Sequence, residues 1–361
     1  QKLKRNEVLK LARERERSAA QPAGAPLPAE DQAWLDEPHA AAAAPLIQAR
    51  AKGARVRPDA NLELDLGLDS MERVELLTEL EGRFGIRVPQ TVAVEIFTVR
   101  QLVEATRSAA AMRGENHAGV ASATVEQSWP GLLRDLPVKN DPELGTLLRR
   151  RTFAAPIIFA LLRLLRLLFF RVRVAGLEKL PASGPYIISP NHQSYVDPFV
   201  LCGVLPYRVF KDLFFVGAVE YFETPLTRWV ARTANLVPVD PDSNLVPAMK
   251  AGAFGLAHGK ILMLFPEGER SIDGTVKKFK KGAPILAQHL GVPIVPVALK
   301  GIYEWWPRNR GINWSLLAPW SGHHASIEIG EPMTLAETAN YTDSAAGLRE
   351  RVNAMWTALS S

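Results

Sequence analysis

Between residues 186 and 299 short apolar runs alternate with helical patterns, and this limits the fold more than any other feature of the chain. Residues 186–189, 236–239, 261–265 and 294–299 have the length and aliphatic content of buried strands. Residues 198–205, 246–257 and 283–290 have helical length and spacing. Strand and helix in succession predict an α/β domain with a largely parallel sheet, because parallel neighbours need a crossover that a helix supplies. Ligands of such sheets collect outside the carboxyl ends of the strands. His192, Asp240 and Glu267 each stand just past an apolar run, so one mouth is expected to gather them.

Stretches rich in alanine, proline and glycine divide the chain of 361 residues. Residues 1–29 read as a charged helix followed by a linker with Pro22, Pro26 and Pro28. Residues 30–110 form a small helical unit. Residues 111–128 are a flexible linker, in an alanine-rich stretch that begins near Arg107; its 22 residues as coil would span about 25 Å. Residues 129–361 form the larger unit. Acidic side chains outnumber basic ones by 14 to nine between Glu30 and Ala110, although the whole chain carries +5. The larger unit is therefore basic and suited to an anionic partner such as phosphate or a membrane surface. Nucleic acid is a poor fit, because the basic stretches lie beside apolar helices and no nucleic-acid motif appears. Cys202 is the sole cysteine, which rules out a disulfide within the chain and fits a reducing compartment. Its apolar neighbours mark it as a core residue. No signal peptide is read at the charged start.

Residues 153–170 are strongly apolar yet contain Arg163 and Arg166, and no acidic residue occurs from Leu144 to Leu177. Arginines are costly inside a membrane span. An amphipathic helix in the interface, its arginines among headgroups, is expected. This predicts peripheral or monotopic attachment, on the cytoplasmic face of the inner membrane. The alternative is a helix packed on its own domain. Trp305, Trp306, Trp314 and Trp320, with Arg308 and Arg310, suit either an interface or a packed loop.

In the small unit, Gly67-Leu68-Asp69-Ser70-Met71-Glu72 precedes a helix with apolar Met71, Val74, Leu77 and Leu80. Serine here can be an ordinary N-cap. The segment also resembles the attachment site of acyl carrier proteins. That resemblance implies a four-helix carrier bundle, a 4'-phosphopantetheine cofactor on Ser70 and a phosphopantetheinyl transferase as partner. A phosphodiester at a helix N-terminus is electrostatically favoured. Glu72, Glu75, Glu79 and Glu81 are expected to give that helix an acidic docking face.

His192 and Asp197 are five positions apart. Asp197 before Pro198 can be an N-cap followed by proline at the first helical position. Chemically the pair can supply a general base and the carboxylate that orients it. With no enzyme nucleophile nearby, the base is expected to activate a substrate hydroxyl. Further on, Glu267, Gly268, Arg270 and Ser271 follow a strand, and Lys277, Lys278, Lys280 and Lys281 lie beyond them. No metal is expected, since His323-His324 lacks ligand spacing.

Asn191-His192-x-Ser194-x-x-Asp197, then Phe265-Pro266-Glu267-Gly268-x-Arg270-Ser271, then Val292-Pro293-Ile294-Val295-Pro296-Val297 resemble the ordered blocks of the glycerolipid (lysophospholipid) acyltransferase family. The resemblance covers about residues 150–340. It implies an O-acyltransferase that moves a fatty acyl group from a thioester, on the carrier or on acyl-CoA, to a lysophospholipid hydroxyl. His192 would be the base, Asp197 its partner, and Glu267, Gly268, Arg270 and Ser271 would bind the acceptor. Pro241 departs from the pattern, standing where phosphatidate-forming members carry an arginine. The 236–241 stretch is similar to that of the bifunctional acyl-[acyl-carrier-protein] synthetase/2-acylglycerophosphoethanolamine acyltransferases. Lys2 and Arg5 resemble the closing segment of adenylate-forming acyl ligases, so an upstream ligase domain is expected. The alternatives are a non-phospholipid acceptor and a non-catalytic carrier-docking membrane module.

Overall fold

The computed structural model describes residues 27–93, 96–115, 129–134, 144–148, 154–217, 235–237, 239, 245–317 and 321–359. The chain falls into two compact units, Gln1–Gln127 and Ser128–Ser361. The expectations for residues 1–26, Asp240, Pro241 and Trp320 lie outside the described residues.

The first unit is built from α1 (Ala29–Leu35), α2 (Pro38–Arg50), α3 (Ser70–Phe84), α4 (Gln90–Ala93) and α5 (Val99–Glu115). Trp34 and Ile47 belong to two separate helices, because the first ends before Pro38. Proline is welcome at a helix start, where its missing N–H is not needed. α3 begins with a complete capping box. The Asp69 carboxylate accepts from the N–H groups of Met71 and Glu72, and Glu72 accepts from the Asp69 N–H. Gly85 at φ +63° ends the helix. Ile47, Leu62, Leu66, Leu68, Leu76, Leu80 and Leu102 fill the core. The loop before α3 therefore packs as firmly as the helices do. α5 continues through residue 115, so the coil does not begin near Arg107 or at residue 111; residues 116–128 lie outside the described residues.

The second unit contains a sheet of seven strands in the order β1-β7-β6-β2-β5-β3-β4. They are β1 (Val172–Ala175), β2 (Tyr186–Pro190), β3 (Leu213–Val216), β4 (Leu236–Val237), β5 (Ile261–Met263), β6 (Ile294–Lys300) and β7 (Ala325–Ile329). All neighbours are parallel except β6 and β7. β2 is buried at every position, as expected for a central strand covered on both faces. On one face Ile188, Met263 and Val295 join α6 (Ala154–Phe169) and α7 (Asp197–Val204) in a single core. On the other, α8 (Leu245–Ala257) lies on Phe214 and Leu262; a Cβ at Gly255 would stand 2.2 Å from the Phe214 ring. α9 (Gly282–Leu290) and α10 (Tyr341–Ala358) pack against each other and against β6.

α6 occupies the apolar stretch with two arginines. Ile158, Phe159 and Leu162 pack on the core, whereas Ile157, Leu161, Leu164, Leu167 and Leu168 are exposed. The helix therefore packs on its own domain through one face and leaves the other apolar face exposed. No helix among the described residues is long and apolar enough to cross a membrane. α6 and α7 meet closely at Gly203, where a Cβ would stand 2.9 Å from the Arg166 Cβ and 3.1 Å from the Leu162 carbonyl oxygen. Filling that crossing forces the helices apart. Gly203→Leu is expected to lower stability by about 1–3 kcal/mol, measured by chemical denaturation.

Candidate active site

Two adjacent parallel strands create the site. Ile188 of β2 pairs with Met263 of β5. His192 and Glu267 each stand four residues past that pair, so the two loops leave the sheet side by side. The backbones then lock together. The His192 N–H donates to Glu267 Oε1 at 3.1 Å, and the Ser271 N–H donates to the His192 carbonyl oxygen at 2.8 Å. The imidazole stacks on Phe265, ring centroids 4.0 Å apart.

Asp197 is fully buried. Its Oδ2 accepts from His192 Nδ1 at 2.8 Å, the Gln193 N–H at 2.6 Å and the Ser194 N–H at 2.8 Å. Asp197 is not the N-cap that the following proline suggested: Val196 holds that position, without a side-chain cap. The carboxylate points back at the loop because three donors converge there, satisfying a charge that burial would otherwise penalise. A carboxylate taking two backbone N–H groups accepts from His192 as well, which assigns the proton to Nδ1 and leaves the Nε2 lone pair to receive one.

The rest of the loop is pinned by residues that sequence reasoning missed. Asn191 exchanges two hydrogen bonds with Leu299 of β6, its amide donating to the carbonyl oxygen and its Oδ1 accepting the N–H. Gln193 donates to the Gly274 carbonyl oxygen and accepts from the Ile302 N–H. The Ser194 hydroxyl donates to the Trp306 carbonyl oxygen. Three polar residues straight after a fully buried strand were the available signal: buried amides need partners.

The second block divides by role. Arg270 lies flat over Tyr195, its Cζ 3.6 Å from the ring centroid, and Tyr195 in turn contacts Trp306. No carboxylate pairs with Arg270 among the described residues, and its Nε has no hydrogen-bond partner. A cation so placed can meet an anionic group bidentately. Gly268 sits at φ +76°, with Lys280 Nζ 2.7 Å from where a Cβ would stand. Ser271 is buried, and its hydroxyl lies within hydrogen-bond reach of Asp273 Oδ1 and the Thr275 carbonyl oxygen. It shapes its own loop. The lysine run is not simply a solvated face: Lys277 pairs with Asp273 at 2.6 Å, and the Lys280 N–H donates to the Pro266 carbonyl oxygen. The tryptophans separate too: Trp305 is core, Trp306 backs the Tyr195 platform and Trp314 is exposed.

Glu267 is 4% exposed, and its Oε2 is buried without a partner. Burial pushes its carboxyl up to about 7, helped by nearby Asp197; donors from His192 and Lys277 oppose the shift. A raised folded-state value means that folding favours the protonated acid. This contribution is full below the ordinary value near 4.5 and is lost as pH rises through about 7. Glu267→Gln is expected to abolish that component, about 3 kcal/mol across the window. Denaturation of both proteins between about pH 5 and about pH 8 measures it.

In the first unit Ser70 is the first residue of α3, half-buried, and Asp69 does the capping in its place. The serine hydroxyl is therefore not needed as a cap. Lys52 Nζ lies 2.8 Å from both the Gly67 carbonyl oxygen and Glu72 Oε2. A helix N-terminus with a lysine beside it suits a phosphodiester. The acidic face expected of α3 is largely neutralised: Arg50 pairs with Glu75 and Glu79, Lys52 with Glu72, and Glu81 is buried, accepting from the Val88 N–H.

Residues 48–106 match the family described as phosphopantetheine attachment site, and residues 171–300 match the acyltransferase family. A chloroplastic 1-acyl-sn-glycerol-3-phosphate acyltransferase of Arabidopsis thaliana is 35% identical over 137 residues, 37% of each chain. A 1-acyl-sn-glycerol-3-phosphate acyltransferase of Pseudomonas aeruginosa is 29% identical over 162 residues, 44% of this chain and 57% of the relative. The chain thus spans between about a third and three fifths of these relatives' lengths. The crystal structure of the 1-acyl-sn-glycerophosphate acyltransferase PlsC of Thermotoga maritima aligns with 61% of this chain and 88% of that one, at 25% identity and a TM-score of 0.48. The chain joins a phosphopantetheine-attachment domain to a domain of the acyltransferase family.

Proposed function

We propose that the protein transfers a fatty acyl group from a thioester to the hydroxyl of a lysophospholipid. The observation that carries this reading is the buried Asp197 carboxylate 2.8 Å from His192 Nδ1, which turns Nε2 into a proton acceptor. The relatives' names, which specify a lysophospholipid acceptor, support the substrate class.

Nε2 of His192 takes the proton of the acceptor hydroxyl as that oxygen attacks the thioester carbonyl. The imidazolium that forms is stabilised by Asp197. That attack forms the ester C–O bond, and collapse of the tetrahedral adduct restores the carbonyl and breaks the C–S bond. His192 then returns its proton to the departing sulfur. Backbone N–H groups stabilise the oxyanion. Arg270, stacked on Tyr195, meets the acceptor's phosphate.

Ser70 is the attachment residue of the carrier domain. The phosphopantetheine arm, when attached, supplies the thiol on which an acyl group is carried. Lys52 and the first turn of α3 would hold its phosphate. A phosphopantetheinyl transferase is the partner that installs it, and an adenylate-forming ligase domain is the proposed source of the acyl group. Acyl-CoA is the alternative donor. The exposed apolar face of α6, with Arg163 and Arg166 on the same helix, is the proposed membrane contact. It would attach the protein peripherally or monotopically to the cytoplasmic face of the inner membrane.

His192→Ala is expected to reduce acyl transfer at least about 100-fold, the scale of general-base loss, while carrier loading continues. Mass spectrometry of lipid products from mixed lysophospholipids reads both the turnover and the preferred headgroup. Lipid binding without turnover in the wild type would instead identify a tethering module. Ser70→Ala is expected to lose the phosphopantetheine mass increment. Full activity of that variant with acyl-CoA would remove the carrier as obligatory donor.

A further inference from the structure

The geometry points to Glu267 as a positioning residue for the catalytic loop, not a ligand of the acceptor: we propose that its carboxylate ties the backbone of His192 to the 267–271 segment and so holds the imidazole in place. This rests on the reading of His192 as general base.

Glu267 is almost fully buried. Its Oε1 is engaged by the His192 N–H. Its Oε2 is sealed from solvent. An acceptor could use this carboxylate only by displacing the loop that carries the base. The return bond from the Ser271 N–H to the His192 carbonyl oxygen completes the clamp, so both backbone polar atoms of His192 belong to the 267–271 segment. Phe265, at the start of that segment, supplies the surface on which the imidazole stacks. The segment therefore fixes the base from its backbone and from its ring face. Arg270, by contrast, is only half-buried and has no carboxylate partner among the described residues, which leaves acceptor contact to it.

The charged and titratable groups facing Glu267 are His192 and Asp197 from the loop after β2, and Lys277 from the segment that follows. The N–H donors and Lys277 favour the carboxylate, while burial and Asp197 oppose it. Protonation cancels the charge that the His192 N–H meets and weakens that hydrogen bond. The clamp thus works best with Glu267 charged, and that contribution is lost as pH falls through about 7.

The test is the pH dependence of kcat/KM for wild type and Glu267→Gln, with an acyl thioester and a lysophospholipid, from about pH 5 to about pH 9. In the wild type log kcat/KM carries a Glu267-dependent fall as pH drops through about 7, and Glu267→Gln lacks that component. The amide cannot supply the charge, so kcat drops about tenfold or more, as expected for a misplaced base. The acceptor KM changes less than about twofold. A raised acceptor KM with kcat unchanged would overturn the inference and return Glu267 to substrate binding. An acid limb unchanged in Glu267→Gln would also overturn it. Denaturation midpoints confirm that both proteins are folded, and Glu267→Asp, which keeps the charge on a shorter stem, should recover the pH-dependent component. His192→Ala in parallel separates the two readings. If it stays active, the base assignment fails; if it is inactive while Glu267→Gln shows only a KM effect, the positioning role alone fails.

Discussion

The second unit depends on one buried oxygen. Asp197 Oδ2 gathers an imidazole N–H and two backbone N–H groups inside a fully enclosed pocket. A carboxylate in that setting is tolerable only if its donors are in place, since removing one leaves a buried charge uncompensated. The loop from 191 to 197 must therefore wrap around its own aspartate. That wrapping turns the carboxylate away from α7, although α7 begins at the same residue. It also forces the neighbouring side chains outward to distant partners: Asn191 to β6, Gln193 to Gly274 and Ile302, Ser194 to Trp306. A histidine held this way loses little freedom when it reacts, because its rotation has already been restricted by folding.

What can be read from the chain follows from the range of the interactions. The central strands β2, β5 and β6 are legible because burial on both faces makes them continuous apolar runs. β1 and β7 are harder to see: β1 alternates half-buried and exposed residues at the sheet edge, and β7 joins through the sheet's one antiparallel pairing among the described residues. α10 does carry a 3.6-residue pattern, its buried Ala345, Leu348 and Val352 spaced three and four apart. In the site, His192 and Asp197 are legible as a local pair. The roles of Asn191 and Gln193 are not, because their partners lie between 81 and 109 residues away. Ser70 is legible at the start of its helix, but the release of its hydroxyl from capping is not. That depends on Asp69 winning the capping contact through the reciprocal bond from Glu72.

The first unit shows the same limit for charge. Four glutamates within ten residues look like an acidic surface when only α3 is considered. Arg50 ends α2 and Lys52 follows it closely, and both reach across to α3. Exposed pairs of this kind contribute little to stability, yet they change what a partner meets. A basic enzyme approaching α3 must compete with cations already in place.

Asp197 and Glu267 divide the work through their surroundings. Both are buried carboxylates in adjacent loops, and each has one oxygen without a hydrogen-bond partner. They differ in how their charge is met. Asp197 has three donors on a single oxygen, one of them the His192 ring. Glu267 has backbone donors only and lies near Asp197, whose charge opposes its own. Placing two like charges close together and enclosing the weaker-held one costs stability, and the cost falls on the segment that clamps the base. Functional sites commonly carry such a conflict, because the arrangement that orients a reactive group is not the one that folds most stably. Here a fully apolar junction between the β2 and β5 loops would fold better, but nothing in it would hold the His192 backbone.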